Sequence, residues 1–198
     1  MELKYIESDI GKKKLNNFKR VNLVYLISFI LITIIYLISC FYVKTINGMF
    51  VFSMIYIIVS LFLRLIKVKY VSRVIKETLA QEICLDGFIN LNIYRAKKAE
   101  KKLKIPKLNK VYNYSLLNII DGYLRKGNYE QVNDIIRVLE KRQLDNTAKA
   151  ILIRYKTTVA HNQEEFNILY REFEEISSSI TKKLKNQILL SLDLQKIF

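Results

Sequence analysis

Two long apolar stretches near the start of the chain dominate its pattern of hydrophobic and polar positions. Residues 21–43 form 23 consecutive positions without a charge, and such a helix measures roughly 34 Å at 1.5 Å per residue. A second uncharged stretch runs from Thr45 to Leu63, and the segment between the two apolar centres contains Asn47-Gly48, a typical turn sequence. Because about 30 Å suffices to cross a hydrocarbon core, the pattern predicts an antiparallel transmembrane hairpin over residues 21–66.

The basic residues around this hairpin indicate its orientation. Six of them lie in residues 1–20, whereas only Lys44 lies between the spans, and Arg64, Lys67, Lys69, Arg73 and Lys76 follow the second span. Cytoplasmic loops carry the excess of Lys and Arg, so both termini are expected in the cytoplasm. The bias toward Ile, Lys, Asn and Tyr resembles that of an AT-rich bacterial genome. The expected location is therefore the bacterial cytoplasmic membrane, with two spans.

Cys40 leaves one alternative open. Leu37-Ile-Ser-Cys40 fits the pattern in which a small residue precedes a lipid-modified cysteine, and residues 1–39 then resemble a lipoprotein signal peptide. Against this, apolar Phe41-Tyr42-Val43 follows the cysteine, and the apolar run is longer than the usual 7–15 residues of a signal peptide. A cysteine within a membrane helix is the favoured interpretation.

From Lys67 onward the chain shows helical periodicity without strand-like alternation. Residues 67–85 are expected to extend the second span, Asp86-Gly87 to break the helix, and Ile105-Pro106 to end a helix over 88–104. Asn, Asp and Ser at the later breaks are expected as N-caps. Further helices are predicted at 108–126, 129–143, 146–160, 163–176 and 179–196. The expected fold class is all-α: a transmembrane helical hairpin followed by a helical domain.

An internal repeat relates two parts of this domain. A shift of 34 residues aligns Gly127–Val132 with 161–166, and pairs Ile136 with Tyr170 and Leu139 with Phe173. The stretch from Leu116 to Leu139, with Tyr123 and Gly127, resembles a single tetratricopeptide repeat. The resemblance covers roughly residues 112–176, with 179–196 as a closing helix, and it implies stacked helix pairs. An unspecified helical bundle is the alternative.

The same resemblance implies a protein-binding groove lined by the first helix of each pair. The matching positions, together with Ala148, are Tyr114, Leu117, Asp121, Leu124, Arg125, Ile151 and Tyr155. Leu117 and Asp121 occupy two places of the clamp that some members of the family use for a C-terminal carboxylate. A ligand bound through its terminal carboxylate is therefore not expected.

The positive charge of the chain is concentrated next to the membrane hairpin. Of a formal net charge of +15, residues 67–110 contribute +8, from twelve basic and four acidic residues. Such a segment can contact anionic headgroups, it can be a plain topology signal, and nucleic acid is the least favoured partner because no nucleic-acid-binding motif accompanies it. The candidate membrane-surface residues are Lys67, Lys69, Arg73, Arg95, Lys97, Lys98, Lys101, Lys102 and Lys104.

The residue inventory offers little for catalysis. The five Gly occur singly, so there is no phosphate-binding loop. Two Cys and the single His161 give no metal-ligand pattern. We expect no enzyme, no catalytic residues, no metal and no cofactor.

Four segments and two functional hypotheses follow. The expected segments are a basic N-terminal segment (1–20), the hairpin (21–66), a basic juxtamembrane segment (67–110) and a helical repeat domain (111–198). The favoured function is a membrane-anchored scaffold that binds another protein, and a homo-oligomer is compatible with it. The alternative is an accessory or immunity subunit whose hairpin acts on a transporter, receptor or pore-forming peptide.

Overall fold

A computed structural model describes residues 3–43, 45–80, 85–160 and 162–195, except for the side chains of 74–80 and 194–195. These residues form eight helices and no strand. The helices are α1 (Asp9–Tyr42), α2 (Ile46–Ala80), α3 (Leu85–Glu100), α4 (Pro106–Arg125), α5 (Tyr129–Glu140), α6 (Asn146–Val159), α7 (Gln163–Ser177) and α8 (Lys182–Gln195). The expectations for Lys44, the side chain of Lys76 and His161 lie outside this description.

The chain divides into two compact units. The hairpin unit comprises Glu7–Gly87, and the helical unit comprises Met1–Ile6 together with Phe88–Phe198. Of the basic segment predicted over 67–110, residues up to Gly87 lie in the hairpin unit and residues from Phe88 onward lie in the helical unit. The N-terminal residues belong to the helical unit, although α1 separates them from it in sequence.

The two long helices of the hairpin unit pack in an antiparallel register. Thr33 shares a hydrogen bond of 3.2 Å with Tyr56, and Tyr36 shares one of 3.0 Å with Ser53. The rings of Tyr36 and Tyr56 stack with their centroids 4.5 Å apart. The pairs formed by residues 33 and 56 and by residues 36 and 53 fix the register.

Both hairpin helices are long and apolar enough to cross a membrane. The most apolar 18-residue windows of α1 and α2 have mean hydropathies of 2.6 and 2.4, and no residue of either window is buried. α1 has 34 residues and α2 has 35, so each is roughly 50 Å long. Each helix thus exceeds a hydrocarbon core by about 20 Å.

In the helical unit, α4 and α5 form an antiparallel pair. Arg142, just beyond the end of α5, donates from Nε to Asn113 Oδ1 at 2.7 Å and from Nη2 to Asn109 Oδ1 at 2.5 Å. The Asn113 amide in turn donates to the Gln143 carbonyl at 3.3 Å. The end of one helix is therefore fastened to the first half of the other.

Helices α4, α6 and α8 run in the same direction. Tyr114 in α4 contacts Asp145 at the start of α6, and Asp121 and Arg125, later in α4, lie near Tyr155, later in α6. Asn146 donates to Ser179, just before α8, at 2.8 Å, and Arg154 donates to Ser191 within α8 at 3.3 Å. In each pair, residues farther along one helix lie near residues farther along the other, as in a parallel arrangement.

Two hydrophobic clusters form the core of the helical unit. The first joins α3, α4, α5 and α6, and includes Ile89, Leu116, Ile120 and Leu139. The second joins α6, α7 and α8, and includes Phe173 and the other members Ala150, Ile153, Phe166, Leu169, Ile188 and Leu192. Because α6 contributes to both clusters, it connects the two halves of the unit.

Local sequence signals placed most helix ends correctly. Asn128, Asp145 and Asn162 cap α5, α6 and α7 by accepting a backbone N–H bond, and Gly127 adopts a positive φ of 67° at the turn before α5. The predicted N-cap among Ser177–Ser179 is wrong, because Thr181 Oγ1 accepts the N–H of Leu184 and α8 begins at Lys182.

Two expectations for α3 are also wrong. Asp86 and Gly87 lie inside the first turn of α3 and do not break it, since a carboxylate is favourable near the positive end of a helix. The helix ends at Glu100, and residues 101–104 form a turn before Pro106. The prediction that α2 extends past the second span is confirmed as far as Ala80.

Candidate interaction site

Tyr114, one of the predicted groove residues, joins a polar cluster at the start of α6. Its hydroxyl donates to Asp145 Oδ1 at 3.0 Å, and Lys110 Nζ lies 2.9 Å from Asp145 Oδ2. Asp145 Oδ1 also accepts the backbone N–H of Ala148 at 2.8 Å. The carboxylate therefore caps α6 and links it to α4 at once.

The ionisation of this cluster follows from its contacts. Burial and the hydrogen bond to Asp145 raise the pKa of Tyr114 to about 12. Burial alone would raise the pKa of Asp145, but the hydrogen bonds from Lys110, the Ala148 N–H and Tyr114 outweigh it and lower that pKa below its usual value. At neutral pH the cluster holds a neutral phenol, a carboxylate and an ammonium group.

A second group of predicted groove residues lies toward the end of α4. Arg125 Nε contacts Asp121 Oδ2 at 3.1 Å, one helical turn apart. Tyr155 of α6 is buried near them, and burial, followed by the charge of Asp121, raises the pKa of its phenol. The structure thus brings Asp121, Arg125 and Tyr155 together, and Arg125 is exposed to solvent.

The remaining predicted groove residues pack into the core. Leu117 and Ala148 are 1% exposed and belong to the first hydrophobic cluster. Leu124 and Ile151 are half-buried against the same cluster. This surface of α4 and α6 therefore offers a ligand polar groups at its two ends, with apolar side chains turned inward between them.

The predicted membrane-surface residues are divided between the two units. Lys67, Lys69 and Arg73 lie on α2, where the Lys67 ammonium sits 4.2 Å from the centroid of the Tyr25 ring. In the helical unit, burial lowers the pKa of Arg95, and the other members, Lys97, Lys98, Lys101, Lys102 and Lys104, lie on or just after the last turn of α3. Of these, residues 98, 101, 102 and 104 are exposed.

The structure adds one site that the sequence did not indicate, formed around the N-terminal segment. Residues 3–6 lie against the helical unit, and Ile6 is held at both of its backbone polar groups by the amide of Asn90. The Ile6 N–H donates to Asn90 Oδ1 at 2.6 Å, and Asn90 Nδ2 donates to the Ile6 carbonyl at 2.8 Å. Asn90 is fully buried at 0% exposure, so its two hydrogen bonds satisfy an amide that water does not reach.

Side chains of the same segment complete the contact. Leu3 is 9% exposed and joins the first hydrophobic cluster, with Tyr5 and Ile6 packed against that cluster. The Lys97 ammonium lies 4.9 Å from the centroid of the Tyr5 ring. The groove that holds residues 3–6, here called the N-terminal groove, therefore includes Asn90 and Lys97 of α3.

An open cavity of about 640 Å³ adjoins this groove. Lys4, Tyr5 and Ile6 line one side, and residues from the end of α4 and from α5 line the other: Tyr123, Lys126, Asn128, Gln131 and Asp134. Its lining is largely polar, unlike the apolar contacts of Leu3. One signal for this site is present in the sequence, because Asn90 is a polar residue inside the apolar run of α3.

Comparison with known proteins gives no match to any family model, curated protein or solved structure. Among the described residues, no group of three or more His, Cys, Asp or Glu side chains could hold a metal ion. The candidate site therefore has to be judged by its own geometry.

Proposed function

We propose that this protein is a non-enzymatic interaction module, anchored in the bacterial cytoplasmic membrane by α1 and α2 and binding another protein through its helical unit. Both termini lie in the cytoplasm in this proposal. The observation that carries it is the bond between Ile6 and Asn90. It joins the residue before the hairpin to the helix after it, so both ends of the apolar hairpin return to one folded body.

This connection supports a hairpin that enters and leaves the membrane on one side. A segment on the far side of a bilayer could not contact α3 without α1 or α2 failing to span. The excess of Lys and Arg at both ends agrees with a cytoplasmic position for that side. The hairpin then acts as an anchor, and the helical unit is the part available to soluble partners.

The packing of the helical unit supports a tetratricopeptide-like interpretation. Helices α4, α6 and α8 run in one direction, and α5 returns antiparallel to α4, as expected for stacked helix pairs. Gly127 at positive φ forms the turn within the first pair, in the place where the family has a tight turn. Solenoids of this type commonly bind other proteins on an extended concave surface.

A topology measurement tests the anchor. In a chain with Cys40 and Cys84 replaced by Ala, Asn47→Cys places a thiol at the hairpin tip and Lys183→Cys places one on α8. We expect a membrane-impermeant maleimide to label position 47 in intact cells and position 183 only after permeabilisation. Labelling of both positions in intact cells would contradict a cytoplasmic helical unit.

A hairpin replacement tests which part carries the activity. We expect partners that co-purify with the chain to remain when the hairpin is exchanged for an unrelated two-span anchor. The pair Tyr114→Ala with Arg125→Glu should reduce their recovery, whereas Lys183→Glu, at an exposed position of α8, should not. Unchanged recovery with the double variant would exclude the surface of α4 and α6 as the binding site.

One observation favours the second candidate function, an accessory or immunity subunit that acts through its hairpin. A cavity of about 230 Å³ opens on the hairpin, lined by Ile32, Ile35, Tyr36, Ser39, Phe52, Ile55, Tyr56 and Val59. An apolar cavity lined by both hairpin helices suits an apolar side chain of a membrane-embedded partner. Loss of partners on hairpin replacement would favour this function over the first.

A further inference from the structure

The N-terminal groove combines main-chain recognition with two side-chain positions. We propose that this groove is a binding site for an extended peptide segment of a partner protein, and that residues 3–6 occupy it as an internal ligand until such a segment displaces them. The inference goes beyond the proposed function, on which it rests, because it adds a second binding site and names the kind of segment that occupies it. It places that site on α3, apart from the surface of α4 and α6.

Asn90 provides the main-chain recognition. Its amide uses both a donor and an acceptor on the backbone of a single residue, Ile6. A buried amide left without these bonds is costly. An extended chain bound in the groove removes that cost, so the occupied groove is the stable state. Because Asn90 contacts only backbone atoms of Ile6, the two hydrogen bonds do not depend on which side chain stands at position 6. Where a sheet edge binds an extended peptide, main-chain bonds give affinity and side-chain pockets give specificity, and this groove combines the same two elements.

Leu3 and Tyr5 define the side-chain pattern. Leu3 is buried in the first hydrophobic cluster, and the Tyr5 ring lies against the Lys97 ammonium. Lys4, between them, is exposed and borders the open cavity. The partner segment therefore has an aliphatic residue, any residue and an aromatic residue in succession, followed by the residue whose backbone pairs with Asn90.

The attachment of residues 3–6 permits their release. Only Glu7 and Ser8 connect them to α1, and neither belongs to a helix. Ser8 caps α1 by accepting the Gly11 N–H at 3.1 Å, a bond that does not involve the segment. The cavity of about 640 Å³ beside the groove gives an incoming chain room to approach. The short linker gives residues 3–6 an effective concentration in the millimolar range. A partner segment has to compete with residues 3–6 at that concentration.

A peptide-binding measurement tests the proposal. The probe is a fluorescent peptide with the sequence of residues 1–8, and the protein is the full chain held at one copy per lipid nanodisc. We expect Leu3→Asp to weaken the internal ligand and to let the peptide bind in the micromolar range. Binding to the wild-type chain should be at least tenfold weaker. Lys183→Asp, at an exposed position of α8 outside the groove and its cavity, should behave as wild type.

Asn90→Leu and a modified peptide identify the site. Added to Leu3→Asp, Asn90→Leu should lower peptide affinity at least tenfold, and a peptide carrying Leu3→Asp should bind neither chain. Peptide binding that is equal in wild-type and Leu3→Asp chains, absent from both, or unaffected by Asn90→Leu would overturn the proposal. None of these results would change the expected outcome of the topology measurement or of the hairpin replacement, which test the proposed function separately.

A second variant covers the case in which Leu3→Asp does not fold. A protease site inserted between Ile6 and Glu7 lets the intact chain fold before residues 1–6 are cut and washed away. We expect the cut chain to keep its circular dichroism and to bind the peptide. Unfolding after the cut would show that residues 3–6 are part of the core and would overturn the proposal. Crosslinking between copies in two-copy nanodiscs that requires Asn90 would make a second copy the occupant and would likewise overturn it.

Discussion

The Cα of Gly122 in α4 lies directly against the side chain of Ile89 in α3. A Cβ added to Gly122 would be 2.5 Å from Ile89 Cγ1 and 3.0 Å from its Cδ1. Ile89 is itself fully buried, so it has little room to move. The two helices can approach this closely only because position 122 has no side chain.

Gly122→Ala is therefore expected to destabilise the helical unit. Overpacking of a filled core costs about 1–3 kcal/mol, while the better helix propensity of Ala returns up to about 1 kcal/mol. We expect a net loss of about 1 kcal/mol in the free energy of unfolding, measured by urea titration of the detergent-solubilised chain. Ile89→Val in the same chain should recover part of the loss. A Gly122→Ala chain as stable as wild type would contradict the close approach.

Gly127→Ala provides a contrast at a glycine of a different kind. Nothing lies within 4 Å of a Cβ added there, but its φ is +67°. The cost is then conformational, about 1 kcal/mol, and Ile89→Val should not relieve it. If Ile89→Val restored stability to both the Gly122→Ala and the Gly127→Ala chains, the loss at Gly122 would not come from its local contact with Ile89.

Arg142→Met is expected to loosen the pair formed by α4 and α5. Arg142 donates to both Asn109 and Asn113, and Asn113 is 4% exposed. Hydrogen bonds from charged groups contribute about 1.5–3 kcal/mol, so a loss of about 2 kcal/mol in unfolding free energy is expected. Arg142→Lys should not restore it, because an ammonium lacks the planar fork of donors. Arg137→Met, which removes an exposed ion pair of 3.7 Å with Asp134, should change stability by less than about 0.5 kcal/mol.

Tyr114 and Asp145 predict how stability depends on pH. The raised pKa of Tyr114, about 12, means that its contribution is present below pH 10 and is lost as the pH rises from 10 to 12. Tyr114→Phe should therefore lose less stability over this range than wild type does. Thermal unfolding at pH 9 and pH 11 measures the difference, with the exposed Tyr129→Phe as the control. An unchanged pH dependence in Tyr114→Phe would contradict the assignment.

The lowered pKa of Asp145 has the opposite consequence at acid pH. Its contribution is present above the unfolded-state pKa of 3.8 and is lost as the pH falls through the lower folded-state value. Asp145→Asn should therefore be less stable than wild type at pH 7, and the two should converge as the pH falls below 3.8. Thermal unfolding between pH 2.5 and pH 7 checks this, and a gap that stays constant would contradict it.

The two polar pairs of the hairpin predict a modest contribution to its stability. Tyr36→Phe removes the hydrogen bond to Ser53, and Thr33→Val removes the bond to Tyr56. Hydrogen bonds between membrane helices average about 0.6 kcal/mol, so each variant should unfold slightly earlier in an SDS titration. Ser39→Ala is the matched control, because the Ser39 hydroxyl bonds the Ile35 carbonyl of its own helix. Equal effects of all three variants would show that the interhelical bonds do not matter.

The exposed lysines in the last turn of α3 and just after it predict affinity for anionic lipid. Lys98, Lys101, Lys102 and Lys104 are exposed, and each basic residue near a surface contributes on the order of 1 kcal/mol. Their joint replacement by Gln should reduce binding of the full chain, held in phosphatidylcholine nanodiscs, to phosphatidylserine vesicles, while Lys182→Gln with Lys183→Gln should not. Retained binding would leave these lysines without a membrane role.

Features encoded by neighbouring residues could be predicted from the sequence. The turn at Gly127 and the caps at Asn128, Asp145 and Asn162 follow from side-chain oxygens and backbone freedom within four residues. The apolar hairpin helices follow from composition and length alone. The start of α3 was missed because Asp86-Gly87 has the composition of a break, although both residues fit the first turn of a helix.

Features that join distant parts of the chain could not be predicted in the same way. The Ile6–Asn90 contact spans 84 residues, and nothing in Leu3–Ile6 indicates which surface it meets. The burial of Leu117 and Ala148, two residues of the predicted groove, could not be predicted for a related reason. Both side chains lie in the core once α4 and α6 pack. Their exposure is a property of tertiary packing, which one sequence does not specify.

The same Ile6–Asn90 contact imposes an order on how the protein is made. Residues 3–6 leave the ribosome long before α3 is synthesised, so they cannot dock while α1 and α2 are being made. Closing a loop of this length from an open chain carries an entropic cost that rises with loop length. The antiparallel pairing of α1 and α2 brings residues 9 and 80 to the same end of the hairpin before the docking site is complete. Pairing of α1 and α2 thereby shortens the search, and the N-terminal segment is expected to dock last.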